Sequence, residues 1–178
     1  VTTRKGVIGA LMGLFRPGAG AARTVPPHTD AASRDEPGRA GSSATIEVEP
    51  PGRGELRITY APAHDGDPDA GEIVWTWVPY AERDGRGKDR PVLVIARQDE
   101  QRVYAVKLTS RSHDGDRDFL ALGEGPWDAQ GRPSWVDIDQ VYSVHAAGMR
   151  REAAALDLDR FVRVADALHR RYGWAVGR

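Results

Sequence analysis

Residues 87–114, GKDRPVLVIARQDEQRVYAVKLTSRSHD, decide the fold. The run from Pro91 to Ala96 is apolar and rich in β-branched residues, which suits a strand buried on both faces. Proline is tolerated there because it begins the strand. The turn RQDEQ at 97–101 separates this run from RVYAVKLTS, so the two read as an antiparallel hairpin. Alternation puts Tyr104, Val106 and Leu108 on one face and Val103, Ala105, Lys107 and Thr109 on the other. Each strand carries a polar end: Arg90 ahead of the first, Thr109-Ser110 at the close of the second. In an antiparallel pair the start of one strand lies beside the end of the next, so these polar ends meet at one rim.

Working outward, GEIVWTWVPY at 71–80 alternates in the same way, with Ile73, Trp75 and Trp77 opposed to Val74, Thr76 and Val78 and the ladder stopped at Pro79. DFLAL, SWVDI and DQVYSVHA follow as short strands, the first two separated by the loop GEGPWDAQGRP, and an edge strand is expected around Leu56 to Tyr60. Short strands at this spacing predict a mainly β domain, a small barrel or rolled sheet. LDLDRFVRVADALHRRYGW then predicts a C-terminal helix, with Leu158, Phe161, Val162, Ala165, Leu168 and Tyr172 as its apolar stripe. Asp157 is its expected cap, and Asp159 with Arg163 and Asp166 with Arg170 are the expected pairs on the wet face.

Composition divides the 178-residue chain. Eight of the twelve prolines fall in residues 1–70, whereas all five tryptophans lie between Trp75 and Trp174. The first part lacks the aromatic and β-branched content that offsets chain-ordering entropy. Residues 1–54 are therefore expected as a disordered extension and 55–178 as the domain, with its ordered core at about 71–174. Removing residues 1–50 should then leave the domain folded. Near residues 4–15, Val7, Ile8, Leu11, Met12, Leu14 and Phe15 recur at helical spacing and Arg16 follows directly. That favours a short amphipathic helix over a secretory signal, and the run is too short to span a membrane. A net charge of −1 excludes a grossly basic nucleic-acid binder but says little about one face. The absence of cysteine removes thiolate chemistry and is compatible with a reducing cytoplasm, the expected location.

The sequence contains no glycine-rich phosphate loop and no nucleophile elbow. The histidines His28, His64, His113, His145 and His169 are scattered without metal-ligand spacing, so no metal or cofactor is expected. Asp65, Asp67 and Asp69 lack the spacing of a calcium loop and read as a solvated turn. Arg90 offers a rigid, permanently charged fork suited to phosphate oxygens. Its alternative is a local ion pair with Asp89, Asp84 or Glu82. For Thr109-Ser110 the alternative is a turn in which the hydroxyls bond nearby backbone.

The order GEIVW, GKDRPVLVI, VYAVKLTSR, SWVDIDQVYSV and terminal helix, across residues 71 to about 172, resembles the PemK/MazF family of toxin endoribonucleases. The resemblance implies a small SH3-like β-barrel of the MazF/PemK/CcdB type with a C-terminal helix. It also implies a homodimer, single-stranded RNA as substrate and a cognate antitoxin protein as partner. Arg90 and Thr109 match the family's active-site positions, Ser110 a neighbour lining the site, and Asp139-Gln140 a pair after the late strand, structural or substrate-lining. The segment PYAERDGRGKDRP departs from the Ser-Glu-Gln-Gly type of loop often seen before the arginine, so Glu82 is only an approximate equivalent.

The chemistry implied is attack by the substrate's own 2′-hydroxyl, giving a 2′,3′-cyclic phosphate and a 5′-hydroxyl. Arg90 suits charge stabilisation and Thr109 hydrogen-bond donation, while Glu82 and His113 are candidates for removing the proton. Arg86, Lys88, Arg97, Lys107 and Arg111 are candidate cations for the substrate and Gln140 a further contact; Trp77, Trp127 and Tyr80 could supply stacking faces. Two competing expectations remain. One is a non-catalytic SH3-like module binding nucleic acid or protein; the other is a toxin acting on a protein target such as DNA gyrase.

Overall fold

The computed structural model describes residues 36–63, 67–82 and 84–177, apart from the side chains of 151–153. The helix expected near 4–15, His28, His64 and Asp65 lie outside the described residues. The strands are β1 (Ile46–Val48), β2 (Arg57–Ile58), β3 (Glu72–Pro79), β4 (Gly87–Arg97) and β5 (Arg102–Thr109). They continue as β6 (Phe119–Gly123), β7 (Ser134–Asp137), β8 (Val141–His145) and β9 (Met149–Ala155), followed by helix α1 (Leu158–Tyr172) and β10 (Ala175–Val176). One sheet has the order β1-β8-β5-β4-β3-β9, with β7 also on β5 and β6 on β7; β10 and β2 form a small parallel pair. The result is the expected mainly β architecture: a curled half-barrel with one C-terminal helix.

The opening hairpin is β4–β5, in which Val92 faces Lys107, Leu93 faces Val106 and Val94 faces Ala105. A register shift between Val94 and Ala96 in the β4–β5 ladder, and another between Ile73 and Trp75 of β3 where it pairs with β9, add the local twist that curls the sheet. Period-two alternation then loads both faces. Ile73, Leu93, Ile95, Val106 and Leu108 pack with Phe161, Val164, Ala165 and Leu168 of α1. Val74, Val78, Val92, Val94, Val103, Ala105, Tyr142, Val144 and Met149 form a second cluster. Fully burying each large member contributes about 1.5–3 kcal/mol.

The helix differs in phase from the expected stripe. Asp157 does cap it, accepting from the Arg160 N–H at 2.9 Å. Phe161, Val164, Ala165, Ala167 and Leu168 are buried, whereas Leu158 and Val162 are 53% and 42% exposed. Val162 lies roughly 100° around the axis from Phe161, so both cannot face the sheet centre. Arg163 donates to the Ala121 carbonyl at 3.0 Å rather than to Asp159. Strands β1, β9 and β10 have no counterpart among the expected elements.

Upstream of the expected boundary at residue 55, the chain is already built into the domain. β1 pairs antiparallel with β8, Ile46 facing Ser143. Arg102 holds the preceding turn by donating to the carbonyls of Ser42 at 2.6 Å and Ala44 at 3.2 Å. Thr76, fully buried in an apolar face, is satisfied by Thr45 Oγ1 at 2.7 Å and donates to the Gly148 carbonyl at 2.8 Å. Gly38 passes so close that a Cβ there would stand 2.5 Å from Thr76 Oγ1, and its φ of +82° also favours glycine. At the other end of the segment, the fully buried Trp174 donates its indole N–H to the Pro51 carbonyl at 2.8 Å. The expectation that the domain stays folded without residues 1–50 must therefore reckon with the contacts that Thr45 and β1 make to it. A polar, proline-rich composition conceals backbone groups that the sheet and Trp174 use.

Candidate active site

The ladder between β4 and β5 places the site. Continuing the pairing of Val92 with Lys107 by two residues sets Arg90 abreast of Thr109. On their other sides Arg90 faces Thr76 and Thr109 faces Trp135. The polar ends of the hairpin thus meet on the face that carries the second apolar cluster, at its open end. One cleft there is lined by Arg90, Lys88, Thr109, Ser110, Asp128 and Arg132, with Trp75 and Ser134. A second is lined by Arg90, Lys107, Arg86, Glu82 and Tyr80. Arg90 is the residue common to both.

Two of the three acids expected to neutralise Arg90, Asp84 and Asp89, are occupied elsewhere. Asp84 binds the Arg86 guanidinium at 2.7 Å, and Asp89 pairs with Arg150. The Arg86 backbone N–H, with its guanidinium, holds the Asp84 carboxyl below its ordinary range. Arg90 itself has no hydrogen bond or ion pair among the described residues. Glu82 is exposed in the second cleft. Thr109 makes the turn contact its position suggests, its Oγ1 accepting from the Arg111 N–H at 3.2 Å. That bond uses a lone pair and leaves the hydroxyl proton to be donated.

Lys107 is held in place by a polar network. Its Nζ lies 3.1 Å from Asp137 Oδ2, donates to Gln140 Oε1, and is 3.4 Å from the Tyr142 hydroxyl. Asp137, buried, spends Oδ1 on the N–H groups of Asp139 and Gln140 at 2.8 and 3.3 Å, so one carboxylate both folds the turn and fixes the lysine. Gln140 Nε2 reaches Glu47 of β1 at 3.4 Å. Burial raises the Tyr142 hydroxyl above its ordinary value, with the Glu47 and Asp137 carboxylates adding to the effect and Arg90 opposing it. The tyrosine stays a neutral donor, bonded to Gln140 Oε1 at 3.2 Å. Asp139 points away to pair with Arg171, which also holds Asp118 at 2.7 Å, and so ties α1 to the turn.

Other expected residues are not brought together. His113 stacks on Phe119 with ring centroids 3.5 Å apart, lies 3.5 Å from Asp116, and lines neither cleft. The Arg111 side chain is exposed and also lines neither, and Arg97 pairs with Asp69 at 3.5 Å. Trp127 is no stacking face: it is 2% exposed and donates to Ser134 Oγ at 3.1 Å. Trp77 lies beneath the Arg39 guanidinium, 4.5 Å from the ring centroid, whereas Tyr80 lines the second cleft.

The residues missed in the sequence are Asp128, Arg132 and Ser134 in the first cleft, and Asp137 behind Lys107. The four-residue spacing of Asp128 and Arg132 was the only local signal. Their loop is placed by the burial of Trp127, which sequence spacing does not show. Among the described residues, no group of three or more His, Cys, Asp or Glu side chains could hold a metal ion.

A family model described as PemK-like, MazF-like toxin of type II toxin-antitoxin system matches residues 69–171. No curated protein matches the chain. Among solved structures, similarity extends to an endoribonuclease in complex with its cognate antitoxin from a Mycobacterial species, at 17% identity and a TM-score of 0.46 over 60% of this chain and 96% of that one. A MazE-MazF structure from Deinococcus radiodurans has 24% identity and a TM-score of 0.43 with the same coverages. MazF from Deinococcus radiodurans has 25% identity and a TM-score of 0.44, again over 60% and 96%.

Proposed function

Because this chain belongs to the PemK-like, MazF-like toxins of type II toxin-antitoxin systems, a family known as endoribonucleases, we propose that it cuts single-stranded RNA at the cleft between Arg90 and Thr109. The observation that carries this reading is the unpartnered Arg90, fixed on a strand, facing a threonine whose hydroxyl proton is unused. The substrate's 2′-oxygen attacks the adjacent phosphorus, the bond to the 5′-oxygen breaks, and that oxygen takes a proton from solvent water to leave as the 5′-hydroxyl. The protein therefore supplies orientation, charge stabilisation and proton movement, and no metal-bound nucleophile is required.

Arg90 stabilises the charge that develops on the phosphorane oxygens, where a fixed donor is worth a few kcal/mol. A guanidinium is a poor proton donor at neutral pH, so charge stabilisation is the role that suits it. Thr109 donates to the phosphate, with Ser110 beside it. Glu82 accepts the 2′ proton, since it shares a cleft with Arg90 and His113 does not. Lys88, Arg86 and Lys107 hold flanking phosphates, with Gln140 fixing Lys107. Glu82→Gln should lower kcat about 10²-fold or more, while His113→Gln leaves kcat and its pH profile unchanged. The reverse pattern would assign proton removal to His113.

Membership of a two-component system implies an antitoxin partner. A row of cations along both clefts suits an extended acidic segment that competes with RNA. A second copy of the chain completes the proposed assembly. No helix among the described residues is long and apolar enough to cross a membrane. The test is a single-stranded RNA cut by the full chain in chelator, compared with the same strand bearing one 2′-deoxy sugar at the cut position. Loss of that cut alone supports the reading. Cleavage of the deoxy strand at the same bond would exclude 2′-hydroxyl attack, and an intact normal strand over a broad RNA panel would favour a binding module or a protein-directed toxin.

A further inference from the structure

Beyond the Arg90 cleft lies a third, lined by Trp75, Asp128, Ala129, Gln130, Arg132 and Arg150. It shares Trp75, Asp128 and Arg132 with the first cleft, so the two adjoin. The second adjoins the first at Arg90, which puts Arg90 in the middle of the three. A strand whose scissile phosphate lies at Arg90 and Thr109 has a neighbouring nucleotide at this third cleft.

The pair Asp128–Arg132 is unusual for a surface loop. The Asp128 side chain is only 9% exposed, whereas Arg132 is 50% exposed. Both Arg132 Nε and Nη2 bind Asp128 Oδ2 at 2.9 Å, and Oδ1 accepts from the Gln130 N–H at 2.8 Å. Burial opposes the charge on Asp128, but the Arg132 guanidinium and the Gln130 N–H outweigh it and hold the carboxyl below its ordinary range. The loop is rigid around the pair. The buried Trp127 is bonded to Ser134, and the Gly131 N–H closes on the Asp128 carbonyl at 2.9 Å. A largely covered carboxylate thus orients an exposed guanidinium. Side-on binding through Nε and Nη2 leaves the other edge, Nη1–H with the second Nη2–H, free as a two-donor fork.

We propose that the third cleft is a nucleobase subsite, in which the base beside the scissile phosphate lies against the Trp75 indole and is read by Arg132 as aligned by Asp128. The inference rests on the RNA reading above. Two parallel donors fit two adjacent acceptors, which guanine offers at N7 and O6 and cytosine at N3 and O2. Adenine places its amino donor where the fork needs an acceptor, uracil sets an N–H between its two carbonyls, and the single ring of cytosine covers less of the Trp75 indole than a purine does. The subsite therefore selects guanine. Asp128 acts through Arg132 and is a positioning residue.

The test uses the full chain in two arms. In the first, RNAs carrying each of the four bases at each position flanking the cut are compared by kcat/KM. Guanine at one position should be favoured roughly 5- to 150-fold. Asp128→Asn should reduce that preference to about twofold at that position alone, with Asp128→Glu retaining part of it and Arg132→Gln abolishing it. In the second arm, 2′-O-methyl oligonucleotides of the same sequences, which cannot be cut, are titrated by fluorescence anisotropy. The same preference and the same dependence on Asp128 and Arg132 are expected there. Binding selectivity without cleavage by the wild-type chain would overturn the catalytic reading and leave the subsite standing. No guanine preference at any flanking position, or a preference that survives Arg132→Gln, would overturn the subsite.

Discussion

Replacing Arg90 with alanine lowers the rate of RNA cleavage about 10²–10³-fold and leaves the thermal midpoint where it was. The two halves of this expectation have one cause. Arg90 has no partner among the described residues, so its removal orphans no carboxylate and breaks no network. Its neighbours Asp84 and Asp89 keep Arg86 and Arg150. Catalysis loses a donor aimed at charge that exists only in the transition state, whereas folding loses a partly exposed side chain. Arg90→Lys should recover a minor share of the rate, since it keeps a point charge but not the planar fork. A variant that cuts at the wild-type rate would remove Arg90 from the chemistry. A large fall in midpoint would show instead that its role is structural.

Deleting residues 1–54 lowers the thermal midpoint by about 10 °C or more, at 2–4 °C for each kcal/mol lost. The deletion removes β1 from the edge of β8 and takes Thr45 from the buried hydroxyl of Thr76. Arg102 loses the carbonyls of Ser42 and Ala44, and Trp174, fully buried, loses the Pro51 carbonyl for its indole N–H. An unsatisfied buried donor alone costs about 1–3 kcal/mol, and each further hydrogen bond about 0.5–1.5 kcal/mol. A circular-dichroism melt of the truncated and full-length chains measures the difference. An unchanged midpoint would mean that this segment merely rests on the sheet.

The contrast between these regions explains what could be read from the sequence. β3, β4 and β5 announce themselves because they are long and β-branched, β3 and β5 alternating and β4 a continuous apolar run, and hairpin geometry then brings Arg90 and Thr109 together without further information. β9 does not, because MRREAAA has neither alternation nor β-branched residues and is a strand only through its pairing with β3. β1 is three residues long in a polar segment, and its place depends on an edge that β8 provides 95 residues later, Ile46 against Ser143 to Val48 against Val141. The amphipathic helix could be located but not phased, since Val162 is as apolar as Val164 and only packing distinguishes them. Within the site, strand-end residues were legible and loop residues were not. Asp128 and Arg132 reach the cleft because Trp127 is buried, and Asp137 meets Lys107 through a pairing 30 residues apart in sequence. His113 was near the site in sequence and is held away from both clefts by Phe119 and Asp116.

The central claim is that the cleft between Arg90 and Thr109 cuts RNA with the substrate's own 2′-hydroxyl as nucleophile. Product-end analysis of a defined single-stranded RNA, digested by the purified chain in chelator, tests it most directly. The predicted fragments carry a 2′,3′-cyclic phosphate on one side of the cut and a 5′-hydroxyl on the other, and they do not accumulate with Arg90→Ala. Fragments bearing a 5′-phosphate and a 3′-hydroxyl would contradict the mechanism.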